Sequence, residues 1–132
     1  SPSLRDSAGV PILNQAVRLG YHQLVGPLLD AGADIDSEAE DRGTTPLMDA
    51  AASGHTELIL RLVDMNAELE HMSRDGQTAV ILAVGNGRED AAAALIQAGA
   101  NVEIKDKLGM SARKYADLYK LSRILEMIES TG

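Results

Sequence analysis

The chain contains no cysteine, phenylalanine or tryptophan, and its only tyrosines are Tyr21, Tyr115 and Tyr119. Without cysteine there is no disulfide and no thiolate to hold a metal or attack a substrate, and an intracellular location is expected. A single-centred core in 132 residues usually employs large rings. A layered array packed from alanine, leucine, isoleucine and valine needs none. No run of 18 apolar residues is present, so no stretch reads as a membrane-spanning helix. No charged-then-apolar leader is seen, and SPSLRDSA at positions 1–8 reads as a flexible end ahead of one domain over 9–132.

Positive charge is scarce in one half. Residues 1–72 carry four basic side chains (Arg5, Arg18, Arg42, Arg61) against twelve acidic ones, whereas residues 73–132 carry eight of each. Within 105–123 six basic residues outnumber two acidic ones. The overall charge of −8 argues against a phosphate-backbone binder. The shortage of rings also makes single-stranded nucleic acid a poor ligand. A solvated surface is the simplest reading of the two clusters. The functional reading is a bipolar surface that orients a charged partner.

The most informative stretch is Gly43 to His55, GTTPLMDAAASGH. Thr45 suits an N-cap, because its hydroxyl can accept from an orphan amide of the first turn. Pro46 follows at the first helical position, where its missing N–H costs nothing. Leu47, Ala50 and Ala51 form a small apolar stripe, and Gly54 can take the left-handed conformation that ends the helix. A helix of about two turns is marginal alone, so neighbours must support it.

The frame recurs. Gly76 opens GQTAVILAVGNG 33 residues after Gly43, and Gly109 opens GMSARKYADLYK another 33 on. Gly9 opens GVPILNQAVRLG 34 residues before Gly43, with the extra residue near Ala39. A fixed period of this size signals stacked supersecondary units. GTTPLMDAAASGHTELILRLVDMNAELE resembles an ankyrin repeat in its G-x-T-P-L opening, its A-A-x-x-G-H-x-E turn and its Leu-rich second helix. The resemblance covers residues 9 to 128. It implies an all-α solenoid of four helix–turn–helix units joined by hairpin-like turns, over about 9–39, 40–72, 73–105 and 106–130.

Each copy departs from the pattern somewhere. Repeat one has Pro11 in place of a capping threonine. Its second helix carries the stripe Leu24, Val25, Leu28, Leu29, with Pro27 implying a late start or a kink. Repeat two shows the stripe at Leu58, Ile59, Leu62 and Val63, and Asn66 stands where the others have Gly32 and Gly99. Repeat three has Thr78 as cap and the alanine-rich stripe Ala91, Ala92, Leu95, Ile96. Repeat four has Ser111 as cap and Ile124, Leu125 and Ile128 on the stripe. There Arg113 replaces the Leu13, Leu47, Val80 position, as a polar end unit would require. Lys120 replaces Gly20, Gly54 and Gly87, so a different loop is expected. The histidine that often follows T-P-L in the family is Asn14, Met48, Ile81 and Lys114 here, which is expected to soften the turns.

No catalytic constellation emerges. His22, His55 and His71 fall at different repeat positions, so neither a metal nor a cofactor is expected. Asp34, Asp36, Glu38 and Glu40 alternate along one stretch, but no central glycine or closing bidentate glutamate completes a calcium loop. They read as a solvent-facing acidic hairpin. Ser53 near His55 and Ser73 near His71 do not make a triad. GNG at 85–87 ends a helix rather than opening one after a strand, which excludes a phosphate loop.

The resemblance implies a concave groove with hairpin fingers and a palm of first helices. By register the fingers are Asp41, Arg42 and Thr44; Arg74, Asp75 and Gln77; and Lys107, Leu108 and Met110. The palm adds Arg18 and Leu19, Ala52 and Ser53, Gly85 and Asn86, and Leu118 and Tyr119. These positions carry little demand from the fold and are free to serve recognition. Leu108, Met110, Leu118 and Tyr119 are apolar where solvent is expected, which marks a contact site, mutual packing, or packing on a following segment. The expected function is a monomeric, non-catalytic module that binds a protein or peptide with a basic segment, not nucleic acid or membrane. The alternative is a structural spacer within a larger enzyme or effector.

Overall fold

The computed structural model describes residues 4–7 and 9–131. Residues 1–3 and 8 of the expected flexible end lie outside the described residues. The described part of that end is held: the amide of Ile12 donates to the Leu4 carbonyl, and Arg5 donates to the carbonyls of Gly9 and Glu38 at 2.9 Å.

Among the described residues the regular structure is eight α-helices and no named strand. They are α1 (Ile12–Leu19), α2 (His22–Asp30), α3 (Pro46–Ser53), α4 (Thr56–Asp64), α5 (Ala79–Gly85), α6 (Glu89–Gln97), α7 (Ala112–Leu118) and α8 (Ser122–Thr131). First helices pack in series, α1 on α3, α3 on α5 and α5 on α7. The second helices α4, α6 and α8 form a parallel row, and each odd helix packs on its following even one. This is a two-layer solenoid, whose main helix contacts lie within a unit or between adjacent units.

The local chemistry follows the repeated letters. Thr45, Thr78 and Ser111 each accept at their hydroxyl from the amide three residues on, and Pro11 caps nothing. Asn66 holds the left-handed backbone at φ 67°, alongside Gly32 at 102° and Gly99 at 100°. Lys120 corrects one expectation. Its φ of 56° places it with Gly20, Gly54 and Gly87, so the loop keeps the common shape with a strained lysine in it. Of the two outcomes expected of Pro27, the late start does not occur: α2 starts at His22 and carries the proline in its interior.

The core runs the length of the stack. Leu13, Leu47 and Val80 are fully buried at one shared position, and Val25, Ile59 and Ala92 at another. Met48 and Ile81 fill the histidine position as buried apolar side chains. Asn14 does more. Its amide donates to the carbonyls of Ser37 (3.0 Å) and Thr44 (3.1 Å), and the Ser37 hydroxyl donates to its Oδ1 (2.8 Å). A buried asparagine thus ties one turn to the next, with its polar atoms satisfied. In the fourth unit Arg113 pairs with Glu103 at 2.8 Å.

Candidate partner-binding surface

The hairpin fingers are laced by backbone hydrogen bonds between units. The amide of Glu40 donates to Gly9, that of Arg74 to Arg42, and that of Lys107 to Asp75, at 3.0–3.1 Å. Gly43 and Gly76 make this closeness possible. Both have positive φ, and a Cβ at either would meet backbone of the next finger at 3.0–3.1 Å. The fingers therefore stand as one row.

Beneath the row, four predicted or neighbouring residues are bound to each other. Arg18 donates through Nε to Asp49 (2.9 Å), through both terminal nitrogens to Asp41 (2.8 and 3.0 Å), and to the Thr44 hydroxyl (3.2 Å). Thr44 in turn donates to Asp49 Oδ1 at 2.8 Å. Burial pushes the Asp49 carboxyl above its ordinary range, opposed by Arg18 and Thr44. The Arg18 hydrogen bonds hold Asp41 below the ordinary range, and Arg18 is raised in turn. Sequence reasoning placed Arg18, Asp41 and Thr44 on the recognition surface but missed Asp49. The available signal was an acid at the register position of Leu82, inside an alanine-rich helix.

The rest of the predicted set divides by location. Arg42, Arg74 and Asp75 are exposed, Gln77 and Ser53 half-buried. Asp41, Arg42, Thr44, Asp49, Ala52, Ser73, Arg74, Asp75, Gln77 and Leu82 line a recess of about 250 Å³ between units two and three. Asn86 is exposed and turns its amide onto the Leu82 carbonyl (2.7 Å). In the last unit, Leu108 is 83% exposed and Leu118 62%. Tyr119 stacks on Tyr115 with centroids 6.1 Å apart, so part of this group packs on itself. Met110 is half-buried and Lys107 exposed.

Tyr115 anchors the last finger. Its hydroxyl donates to Asp106 Oδ2 at 2.7 Å, while Oδ1 accepts from the amides of Leu108 and Met110. Burial raises the Asp106 carboxyl, but these three donors outweigh it and hold the group below its ordinary range. The phenol is pushed up to about 12 by the same bond to Asp106.

The histidines are less scattered than their register suggests. His22 and His55 meet edge-to-face at 5.3 Å, and His71 lies 3.1 Å from Glu38. Among the described residues, no group of three or more histidine and acidic side chains could hold a metal. The acidic stretch is also less free than a fingertip. Asp36 accepts from the Glu68 amide at 2.9 Å, which joins successive hairpins.

A family model described as ankyrin repeats, in three copies, matches residues 13–106. The chain belongs to the ankyrin repeat family. A putative ankyrin repeat-containing protein of Treponema pallidum (strain Nichols) is 37% identical over 119 residues, covering 90% of this chain and 40% of its own length. The Drosophila melanogaster ankyrin repeat and KH domain-containing protein mask is 38% identical over 96 residues, 70% of this chain and 2% of its own. The probable 26S proteasome regulatory subunit p28 of Saccharomyces cerevisiae (strain ATCC 204508 / S288c) is 28% identical over 138 residues, 99% of this chain and 60% of its own. The chain thus spans less than two thirds of each of these relatives. Ankyrin repeats generally mediate protein–protein interaction without catalysis. The fourth helix pair lies mostly past the matched residues, yet α7 and α8 continue the stack. No described helix is long and apolar enough to cross a membrane.

Proposed function

We propose that this chain is a non-catalytic binding module that holds a segment of a partner protein along its concave face. The recess between units two and three supports this reading most directly. It is walled by the exposed Arg42, Arg74 and Asp75, and floored by Asp49, whose orientation the Arg18 and Thr44 bonds fix. A preorganised wall loses little side-chain freedom on binding. The exposed Lys107, Leu108, Leu118 and Tyr119, with Met110, extend the surface into unit four and add an apolar anchor.

The excess acid in residues 1–72 favours a partner segment with basic residues, acting in an intracellular compartment. Asp41 is neutralised by Arg18, so Asp75 is the acid in the recess with more to offer a partner. The test is affinity capture with identification of the bound protein, repeated with Asp75→Arg and Leu108→Glu and at raised salt. Loss of the protein with either variant is the expected result. Undiminished recovery with both would count against this groove. The chain's small share of its relatives' length favours a second reading, a spacer in a larger protein whose activity lies elsewhere. A partner that binds only segments outside residues 9–131 would favour that one.

A further inference from the structure

Most of the acid beside the fingers is already in use. Asp41 and Asp49 offer four carboxylate oxygens, and each accepts a hydrogen bond from Arg18 or Thr44. Asp106 is held by Tyr115 and by the amides of Leu108 and Met110. Glu38, which shares the space beside Gly43 with the Arg74 stem, lies 3.1 Å from His71. The cations of the fingertips are in the opposite condition. Arg42, Arg74 and Lys107 are exposed, and among the described residues none of their side chains has a hydrogen bond or an ion pair. Arg42 feels the charges of Asp41 and Asp49 without bonding either. At the tips only Asp75 stands against these cations, its carboxylate likewise unbonded. Arg42 and Arg74 sit on fingers with a described unit on either side, and the Arg74 amide donates to the Arg42 carbonyl at 3.1 Å. Unbonded cations thus stand on a row whose backbone is fixed.

We infer that Arg42, Arg74 and Lys107 receive acidic side chains of the partner segment, which the groove reading, on which this rests, sets along the concave face. The segment is then one of mixed charge. Its basic residues answer to Asp75 and to the acidic balance of residues 1–72, and its acids to the three cations. A guanidinium fork binds a carboxylate through two parallel hydrogen bonds, so the two arginines set position and the lysine adds charge. The net charge of −8 does not forbid this. Much of the acidic surplus lies in α2, in α4 and in the segments that follow them. At physiological salt a charge is screened beyond about 8 Å, so the groups at contact decide what the tips hold. A nucleic-acid backbone, charged at every step, would meet Asp75 in the same row and is disfavoured.

Selection from a random dodecapeptide library displayed on phage, at physiological salt, tests this. The recovered peptides are expected to hold aspartate and glutamate in excess of the library's share. Synthetic copies are then titrated by fluorescence anisotropy. Arg42→Glu and Arg74→Glu are each expected to weaken such a peptide roughly tenfold or more, and Arg74→Lys by less. Arg123→Glu makes the same change of charge at an exposed site on α8 and leaves the affinity unchanged. Circular dichroism checks that each variant is folded. Peptides poor in acid whose binding is lost with Asp75→Arg overturn the inference and leave the groove reading standing. Acidic peptides whose affinity survives Arg42→Glu, Arg74→Glu and Lys107→Glu overturn it as well. So does an oligothymidylate of equal charge that competes as strongly as the peptide. Recovery of no peptide at all counts against the groove itself, and the inference falls with it.

Discussion

Arg18 and Asp49 set the energetics of the palm. Asp49 is 4% exposed, so its charge is tolerated only because Arg18 and Thr44 saturate it. Arg18→Ala leaves that carboxylate buried beside a single hydroxyl, and is expected to cost about 2–3 kcal/mol in urea unfolding at neutral pH. Asp41→Ala removes only the more exposed arm, and about 1 kcal/mol or less is expected. Equal losses would show that the network is not anchored on Asp49. The pair was only half legible in the sequence. The family resemblance implied one surface for Arg18 and Asp41, but 31 residues separate Arg18 from Asp49, and only the stacked geometry brings them to 2.9 Å.

Tyr115 gives a residue-scale prediction in pH. Its phenol is raised from the ordinary 10.0 to about 12, so the folded state keeps a proton that the unfolded state gives up. Stability from this bond is full below pH 10 and is lost as pH rises through about 12. The lowered Asp106 acts at the other end: its contribution is present above its ordinary 3.8 and fades as pH falls through the depressed value. Tyr115→Phe is expected to cost about 1.5–3 kcal/mol at pH 7 and to flatten the loss of stability above pH 10. Melting curves at pH 7 and pH 11 check both parts. An unchanged alkaline slope would mean the phenol titrates elsewhere.

At the scale of the element, the four loops that join first to second helices share a left-handed residue, and the fourth uses Lys120. A lysine there costs about 1–2 kcal/mol in the folded state, partly offset by the greater freedom glycine has when unfolded. Lys120→Gly should therefore stabilise the chain by roughly 0.5–1 kcal/mol, read as a higher urea midpoint. Destabilisation would mean the lysine makes a contact worth more than its strain. Caps and stops were the most legible features, because Thr45, Thr78, Ser111 and Asn66 act through their own backbone. The lysine loop was misread because propensity suggested a new loop, whereas packing of α7 on α8 enforces the old one. The late start weighed for α2 fails for the same reason. Val25, Leu28 and Leu29 reach the stack only if the helix starts at His22, and their burial outweighs the bond lost at Pro27.

At the scale of the molecule, the main helix contacts lie within a unit or between adjacent units, so stability should vary along the chain rather than belong to one centre. Four in-phase copies made the stack legible, because a 33-residue period cannot arise from one closed core. What the groove holds was not legible, since finger residues answer to a partner and not to the fold. The same logic separates middle from end: α5 and α6 have helices on both sides, α7 and α8 on one. Residue-resolved amide hydrogen exchange tests this stacked arrangement most directly. Protection highest in α3 to α6 and falling toward α7 and α8 is the expected result. Uniform exchange of all eight helices at a single rate would contradict it.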